Sequence, residues 1–210
     1  GCRAALDFTV RALKAGKSVV TSNKELVAEH GFGLFDIARS TGANYMFEAS
    51  VGGGIPVIRP LTWCLGANRI EKISGILNGT TNYILTKMLR DGENFKDALF
   101  QAQKNGYAEA DPTADIEGHD ACRKICILSA LAFGKQVPPK SIPTKGITAV
   151  TLADLKYANA VDMSIKLLGR AVRCDDGGAY IYVEPHLLGR QNMLAEVNDV
   201  FNAVSVTGDM

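Results

Sequence analysis

The chain has 210 residues, of which 47% are hydrophobic, and this is enough to bury a core and to form one or two domains. Its 23 basic and 22 acidic side chains leave a formal net charge of +1, with no cluster of Lys or Arg that would make one face basic. We therefore expect no nucleic-acid partner. No apolar stretch reaches the roughly 20 residues of a membrane-spanning helix, and the first residues lack the layout of a signal peptide. We expect no membrane partner and a cytoplasmic protein.

The cysteines indicate free thiols. Their number is odd, and their spacing forms neither a CxxC pair nor a zinc-ligand pattern with a histidine. The five are Cys2, Cys64, Cys122, Cys126 and Cys174. Cys122 and Cys126 are one helical turn apart among apolar neighbours, which predicts that both are buried in the core.

The first fifty residues alternate between helical and strand patterns. The predicted elements are a helix over 4–15, a strand over 18–21, a helix over 25–40 and a strand over 45–49. Gly31 and Gly33 predict a break inside the second helix. An αβαβ series of this kind is typical of a parallel sheet.

No G-x-G-x-x-G follows a strand and begins a helix, so the phosphate-binding turn of a dinucleotide fold is not in this sequence. A complete domain of that kind needs roughly 80 to 100 further residues before the first helix. We interpret the chain as a fragment, with residues 1–48 the remnant of a doubly wound Rossmann-type parallel sheet. The fold class is therefore α/β.

The pattern changes near the glycine-rich turn 52–56, and residues 49–210 are predicted to form a second, α+β domain. Its predicted elements are helices over 57–65, 81–89, 95–104, 120–133 and 191–198, a strand over 70–77, and a hairpin of strands 165–172 and 179–183. The late strands would leave an unpaired sheet edge, which a second copy of the chain could cover.

Residues 106–124 carry the densest set of ionisable groups, with five carboxylates in twelve residues. Pro112 and Gly118 predict a loop, and Asp120 then begins a helix whose N-terminal dipole favours its charge. Asp120 and Lys124 are i and i+4, so they lie on one helix face.

Two interpretations of this stretch remain open. Composition alone favours a solvated acidic loop with a weak surface salt bridge. The helix behind Asp120 is strongly apolar, however, so its first turn is expected to face a cleft. In a cleft, a lysine beside an aspartate is a plausible proton donor.

Three other motifs could bind ligands. The segment 78–83 (NGTTNY) joins a strand to a helix, where its polar side chains either cap the helix or bind a polar ligand. The segment 21–24 (TSNK) follows a parallel strand at the end where open α/β sheets bind ligands. The turn 48–56 (EASVGGGIP) could expose carbonyl oxygens to a cation, or it could be a plain hinge.

Taken in order, the motifs TSNKELVA, FEASVGGGIPVI, GILNGTTNYIL and GYAEADPTADIEGHDACRK resemble homoserine dehydrogenase along nearly the whole chain. The resemblance implies reduction of L-aspartate 4-semialdehyde to L-homoserine with NAD(P)H, on the way to threonine, methionine and isoleucine. It also implies that residues 49–210 bind substrate, carry the catalytic groups and form a homodimer.

The resemblance assigns roles to individual positions. Lys124 matches the proton donor to the aldehyde oxygen, and Asp120 the aspartate that orients this lysine and the substrate. The implied substrate-binding residues are Glu109, Asp115, Tyr107, Gly79, Thr80 and Lys24, with the two carboxylates holding the substrate ammonium group. Lys24 and Asn23 are implied to lie at the cofactor.

The turn 48–56 matches positions that bind a sodium ion in the family through backbone oxygens. These are Glu48, Val51, Gly53 and Ile55. Because the phosphate-binding glycine loop is absent, we expect the 210-residue chain alone to be inactive or very weak. Two alternatives remain: a reductase of another amino-acid aldehyde, and a non-catalytic dimerisation or binding module.

Overall fold

The computed structural model describes residues 2–210, which form two sheets flanked by helices. The first two helix–strand pairs are α1 (Cys2–Lys14), β1 (Val19–Val20), α2 (Lys24–Thr41) and β2 (Tyr45–Met46). Strands β1 and β2 pair in parallel, with Val19 opposite Tyr45. The predicted αβαβ order and the parallel pairing are confirmed.

Helix α2 is continuous, so the predicted break at Gly31 and Gly33 is wrong. Gly31 is buried, and glycine disfavours a helix by only about 1 kcal/mol, which tertiary packing can overcome. A trace of the predicted irregularity remains, because the Gln136 side chain accepts from the Phe32 N–H at 2.9 Å and donates to the Ala28 carbonyl at 2.7 Å. These are the two groups that an undisturbed helix would join to each other.

The second strand ends three residues earlier than predicted, and a 3₁₀ turn over Glu48–Ser50 follows it. The cause is the Glu48 carboxylate, which accepts hydrogen bonds of 2.7 to 2.8 Å from the backbone N–H groups of residues 57–59. These N–H groups begin a short helical segment that includes a π turn over Pro60–Cys64, and a carboxylate at a helix N-terminus is stabilising. The predicted helix over 57–65 is thus present in a shorter form.

The second sheet is antiparallel and has the order β5-β4-β3-β6. Its strands are β3 (Ile70–Ile76), β4 (Met163–Arg173), β5 (Ala179–Gly189) and β6 (Ala203–Gly208). The helices are α3 (Gly79–Asp91), α4 (Phe95–Lys104), α5 (Thr113–Ile116), α6 (His119–Phe133) and α7 (Leu152–Ala160). The mixed α/β fold with an antiparallel second sheet agrees with the predicted class.

Several late elements differ from their predictions. The hairpin is present, but its strands extend further, and the four-residue helix α5 lies inside the predicted loop 106–118. The predicted helix 191–198 is only a 3₁₀ turn over Met193–Glu196. Helix α7 and strand β6 were not predicted, because α7 is barely amphipathic and β6 has few large apolar residues.

Helix α6 lies at the centre of the core and positions the site. It contacts α2 and strands β3, β4 and β5, and its Ile125 and Leu128 are fully buried. Cys122 and Cys126 are buried on the same helix, as predicted. Among residues 2–210, no helix is long and apolar enough to cross a membrane.

Candidate active site

The first two turns of α6 hold a buried ion pair. Lys124 Nζ donates to Asp120 Oδ2 at 2.7 Å and to the Leu77 carbonyl at 2.7 Å. The Asp120 side chain is 6% exposed and that of Lys124 15%. The interpretation as a weak surface salt bridge is therefore wrong, and the apolar flank of α6 explains why its first turn faces the protein.

A second lysine reaches the same carboxylate from the start of α2. Lys24 Nζ lies 2.8 Å from Asp120 Oδ1, in an orientation that makes the contact an ion pair without hydrogen-bond geometry. Asn23, the residue before it, caps α2 by accepting from the Leu26 N–H at 3.1 Å. This cap fixes where α2 begins, and it thereby places Lys24 at the carboxyl end of β1.

Asn78, from the segment predicted either to cap a helix or to bind a polar ligand, completes the surroundings of Asp120. Its amide donates to Asp120 Oδ2 at 2.9 Å and to Asp115 Oδ1 at 2.7 Å. Its own oxygen accepts from the Thr81 N–H at 2.9 Å and so caps α3. Helix α3 therefore begins at Gly79, two residues earlier than predicted, and Asn78 supplies the side-chain cap that could have come from Thr80 or Thr81.

The pKa values of the two neighbouring carboxyl groups are shifted in opposite directions. Burial opposes the ionisation of Asp120, but the charge of Lys124, hydrogen bonds from Asn78 and Lys124, and the Lys24 ion pair outweigh it and lower the pKa of this carboxyl. Burial raises the pKa of Asp115, and the charge of Asp120 adds to the rise against the Asn78 hydrogen bond. Asp120 is therefore the permanent anion of the pair.

An open cleft of about 400 Å³ lies over these groups. The predicted catalytic and substrate-binding residues all line it: Lys124, Asp120, Glu109, Asp115, Tyr107, Gly79, Thr80 and Lys24. The cleft is also lined by Asn78, Gly106, Ala108 and Val200, of which Val200 lies outside every motif found in the sequence. Residues 176 positions apart thus meet at one surface.

Side-chain contacts connect the residues that form opposite walls of the cleft. Thr80 Oγ1 donates to the Tyr107 carbonyl at 2.6 Å, and the Tyr107 ring lies edge-on to Tyr83 at 4.9 Å between centroids. Glu109 is exposed, with only its backbone oxygen bound, by the Gln103 side chain at 3.1 Å. Its carboxylate is thus available to a ligand.

A close backbone approach holds the α5–α6 junction in place. A Cβ atom at Gly146 would lie 1.9 Å from the Ile116 carbonyl oxygen and 2.4 Å from Glu117 Cα. The next residue, Ile147, donates its N–H to the same Ile116 oxygen at 2.8 Å. Only glycine fits there, and the contact fixes the short helix that carries Asp115.

The remaining predicted positions lie outside the set that lines the cleft. Asn23 is engaged in capping, and the turn with Glu48, Val51, Gly53 and Ile55 forms a separate loop. Within that loop, Gly52 and Gly53 have positive φ, and the Glu48 carboxylate is already occupied by backbone N–H groups. If this turn binds a cation, it must do so through backbone oxygens.

The opposite pKa shifts predict opposite stability effects. The stabilisation from Asp120 is present above its unfolded-state pKa, near 4, and is lost as the pH falls through its lower folded-state pKa. We expect Asp120→Asn to cost about 2 kcal/mol near pH 7, below the roughly 3–5 kcal/mol of a fully buried pair because Lys24 is partly exposed. The loss should shrink below about pH 4.

The matched variant Asp115→Asn should behave in the opposite way, because a raised pKa means that ionisation of Asp115 disfavours the folded state. We expect it to raise the urea midpoint near pH 7 and to leave it unchanged at acid pH. Urea titrations of both variants at about pH 7 and about pH 3 measure this. Equal shifts for the two variants would contradict the assignment.

Comparison with known proteins identifies a family. The family model for homoserine dehydrogenase matches residues 56–210. The homoserine dehydrogenases of Synechocystis sp. and Pseudomonas aeruginosa are 44% and 46% identical over the whole chain, which covers 49% and 48% of their lengths. The chain thus spans about half the length of these curated relatives.

Solved structures agree with the sequence matches. A homoserine dehydrogenase from Thiobacillus denitrificans superposes with a TM-score of 0.96 at 46% identity, and the match covers 100% of this chain and 48% of that one. A hyperthermophilic archaeal homoserine dehydrogenase in complex with NADPH gives a TM-score of 0.84 at 32% identity, covering 98% and 59%. With its fold, its cleft and these matches in agreement, the chain belongs to the homoserine dehydrogenase family.

Proposed function

We propose that the protein containing this chain catalyses the reversible NAD(P)H-dependent interconversion of L-aspartate 4-semialdehyde and L-homoserine. This step serves threonine, methionine and isoleucine biosynthesis. Family membership supports the reaction. The observation that carries the catalytic assignment is the Lys124 ammonium, held at 2.7 Å by both Asp120 and the Leu77 carbonyl beside a polar cleft.

The charges of the cleft suit an amino-acid aldehyde. Its ammonium group needs carboxylates, and the exposed Glu109 together with Asp115 supplies them. Its carboxylate needs N–H donors or cations, which the start of α3 at Gly79 and Thr80 and the side chain of Lys24 provide. The Tyr107 ring closes one side of the cleft.

Lys124 acts as the proton donor in the direction of reduction. When bound, the reduced nicotinamide supplies a hydride to the aldehyde carbon, and the electron pair of the carbonyl bond moves to oxygen. One N–H bond of the Lys124 ammonium breaks as an O–H bond forms on that oxygen. Asp120 keeps the lysine oriented for this transfer.

Lys24 and Asn23 are proposed to meet the cofactor. They follow β1, which pairs in parallel with β2, and ligands of open α/β sheets bind beyond the carboxyl ends of such strands. The proposed division places residues 1–48 in the dinucleotide-binding part and residues 49–210 in the part that binds substrate. Gly1 lies outside the described residues.

We further propose that a sodium ion binds at the glycine turn, through backbone oxygens of Glu48, Val51, Gly53 and Ile55. The donor set fits a hard cation, because all of its members offer carbonyl oxygens. The positive φ angles of Gly52 and Gly53 turn the chain sharply there.

The free thiols of the described cysteines are consistent with a reducing cytoplasm.

Exchange of Lys124 for Ala tests the proton-donor role. In the natural protein that contains this chain, we expect kcat to fall by roughly 10²–10⁴-fold, the usual contribution of a general acid. Glu109→Gln should instead raise KM for the semialdehyde by roughly tenfold, because it removes one charge-assisted hydrogen bond. NAD(P)H oxidation measures both constants.

The matched control is Lys104→Ala, at an exposed lysine at the end of α4 that does not line the cleft. It should leave both constants unchanged. A folded Lys124→Ala protein that keeps more than half of the wild-type kcat would overturn the assignment. If the wild type ignores this substrate but reduces another amino-acid aldehyde, the substrate assignment alone falls.

A homodimer is proposed on the face formed by β4, β5 and α7. A mostly apolar groove of about 490 Å³ crosses this face, and Tyr157, Val161 and Leu187 are exposed beside it. Strand β5 is an edge of the sheet, whereas β4 is internal. The segment 143–145 binds the β5 edge at Val183, so the part of this edge left for pairing lies on either side of that residue. An exposed apolar surface with a partly unpaired edge favours self-association.

Light scattering is expected to give twice the 22.5 kDa mass of one chain. Leu187→Lys should lower this mass to that of the monomer, because a buried unpaired charge is costly at an interface. The exposed Phe100 on α4 provides a control, since Phe100→Lys lies away from the groove and should remain dimeric. A monomeric wild type would refute the proposal.

A further inference from the structure

Strand β4 carries a buried lysine that the proposed chemistry does not use. Lys166 is 3% exposed, and its ammonium donates to the Val197 carbonyl at 2.6 Å, to Asn198 Oδ1 at 2.9 Å and to Asn82 Oδ1 at 3.2 Å. All three acceptors are neutral. A lysine is rarely buried without a carboxylate, so this one is expected to have a specific role.

Its partners belong to the segment 197–201 and to α3. The amide of Asn82, on α3, donates to the carbonyls of Val197 at 3.0 Å and Phe201 at 3.2 Å. The Asp199 N–H donates to Thr86 Oγ1, also on α3, at 3.1 Å. The segment has no regular secondary structure. The contacts with Asn82 and Thr86, together with those of Lys166, fix the path of its backbone.

The same segment forms part of the cleft. Val200 lines it, and the Val200 carbonyl lies so close to Gly79 that a Cβ there would be 2.6 Å from the oxygen. Gly79 begins α3, whose first N–H groups are proposed to receive the substrate carboxylate. A shift of the segment would therefore change the shape of the cleft at the place where substrate binds.

We propose that Lys166 is a positioning residue, which holds the segment 197–201 as a wall of the substrate cleft against the start of α3. It touches neither substrate nor cofactor and acts through Val197 and Asn198. This inference rests on the proposed function where it concerns substrate affinity. The placement of the segment itself does not depend on that function.

The charge of Lys166 provides a second readout. Burial lowers the pKa of Lys166 to about 8, against the opposing charges of Glu196 and Asp199. Asp199 is itself paired with Arg90 on α3 at 3.1 Å. Above about pH 8 the side chain loses its positive charge, and its hydrogen bonds to the segment weaken. The wall should then loosen in the alkaline range.

Exchange of Lys166 for Met, which keeps the aliphatic chain and removes the ammonium, tests the proposal in the natural protein. We expect KM for the semialdehyde to rise by roughly tenfold, with kcat within about threefold of wild type. The wild-type KM should rise above about pH 8, and in the variant this rise should be absent. Lys104→Met, at an exposed lysine on α4 that lies outside both the cleft and the proposed dimer face, is the matched control.

Amide hydrogen exchange separates this inference from the proposed function. In Lys166→Met, the amides of residues 197–201 should exchange at least tenfold faster, while those of α6 keep their protection. If Lys166→Met fails to fold, Asn198→Ala removes one partner at an exposed position and should raise KM and exchange in the same direction, by less.

The outcomes decide between the two ideas. If the wild-type protein does not turn over the semialdehyde, the proposed substrate is wrong. Faster amide exchange of residues 197–201 in Lys166→Met would still support the positioning role. Unchanged exchange of residues 197–201 in a folded Lys166→Met protein overturns the positioning role. A fall in kcat with KM and its alkaline rise retained overturns it as well.

Discussion

The arrangement of the cleft depends on one carboxylate, that of Asp120. It receives Lys124 and Asn78 on one oxygen and Lys24 on the other, at distances of 2.7 to 2.9 Å. These groups come from α6, from the end of β3 and from the start of α2. Without a buried anion between them, two lysine ammonium groups would repel each other and the three elements would separate. The charge of Asp120 therefore has a structural role in addition to the proposed catalytic one.

Asn78 connects this anion to a second carboxyl group, that of Asp115. Its amide is shared between Asp120 and Asp115, so two carboxyl groups lie close together while only one is strongly stabilised as an anion. The raised pKa of Asp115 follows from burial and from its neighbour, whereas the cations and hydrogen bonds lower that of Asp120. An ammonium group bound beside Asp115 would supply the positive charge that this carboxyl lacks.

The sequence predicts which polar residues meet at the cleft better than it predicts the elements that surround them. Lys124 and Asp120 were recognisable because the i, i+4 spacing and the apolar flank of α6 are local properties, and the segments of the hairpin and of α4 follow from local periodicity too. Val200 could not be predicted, because it enters the cleft only through the crossing of β6 to β3, a pairing between distant residues. The replacement of one α2 backbone hydrogen bond by the Gln136 side chain likewise could not be predicted, because Gln136 is more than a hundred residues away. Local patterns carry no information on such long-range contacts.

Gly146 shows how such a contact constrains the sequence of this chain. It has no side chain, lines no part of the cleft and bears no charge, yet its contact with Ile116 leaves no space for even a methyl group. A chain that retained every ionisable residue of the cleft but carried Ala at this position would push the short helix of Asp115 aside. The polar residues of the cleft are therefore not sufficient to define its geometry, because an uncharged glycine outside the cleft is also needed to hold the helix of Asp115.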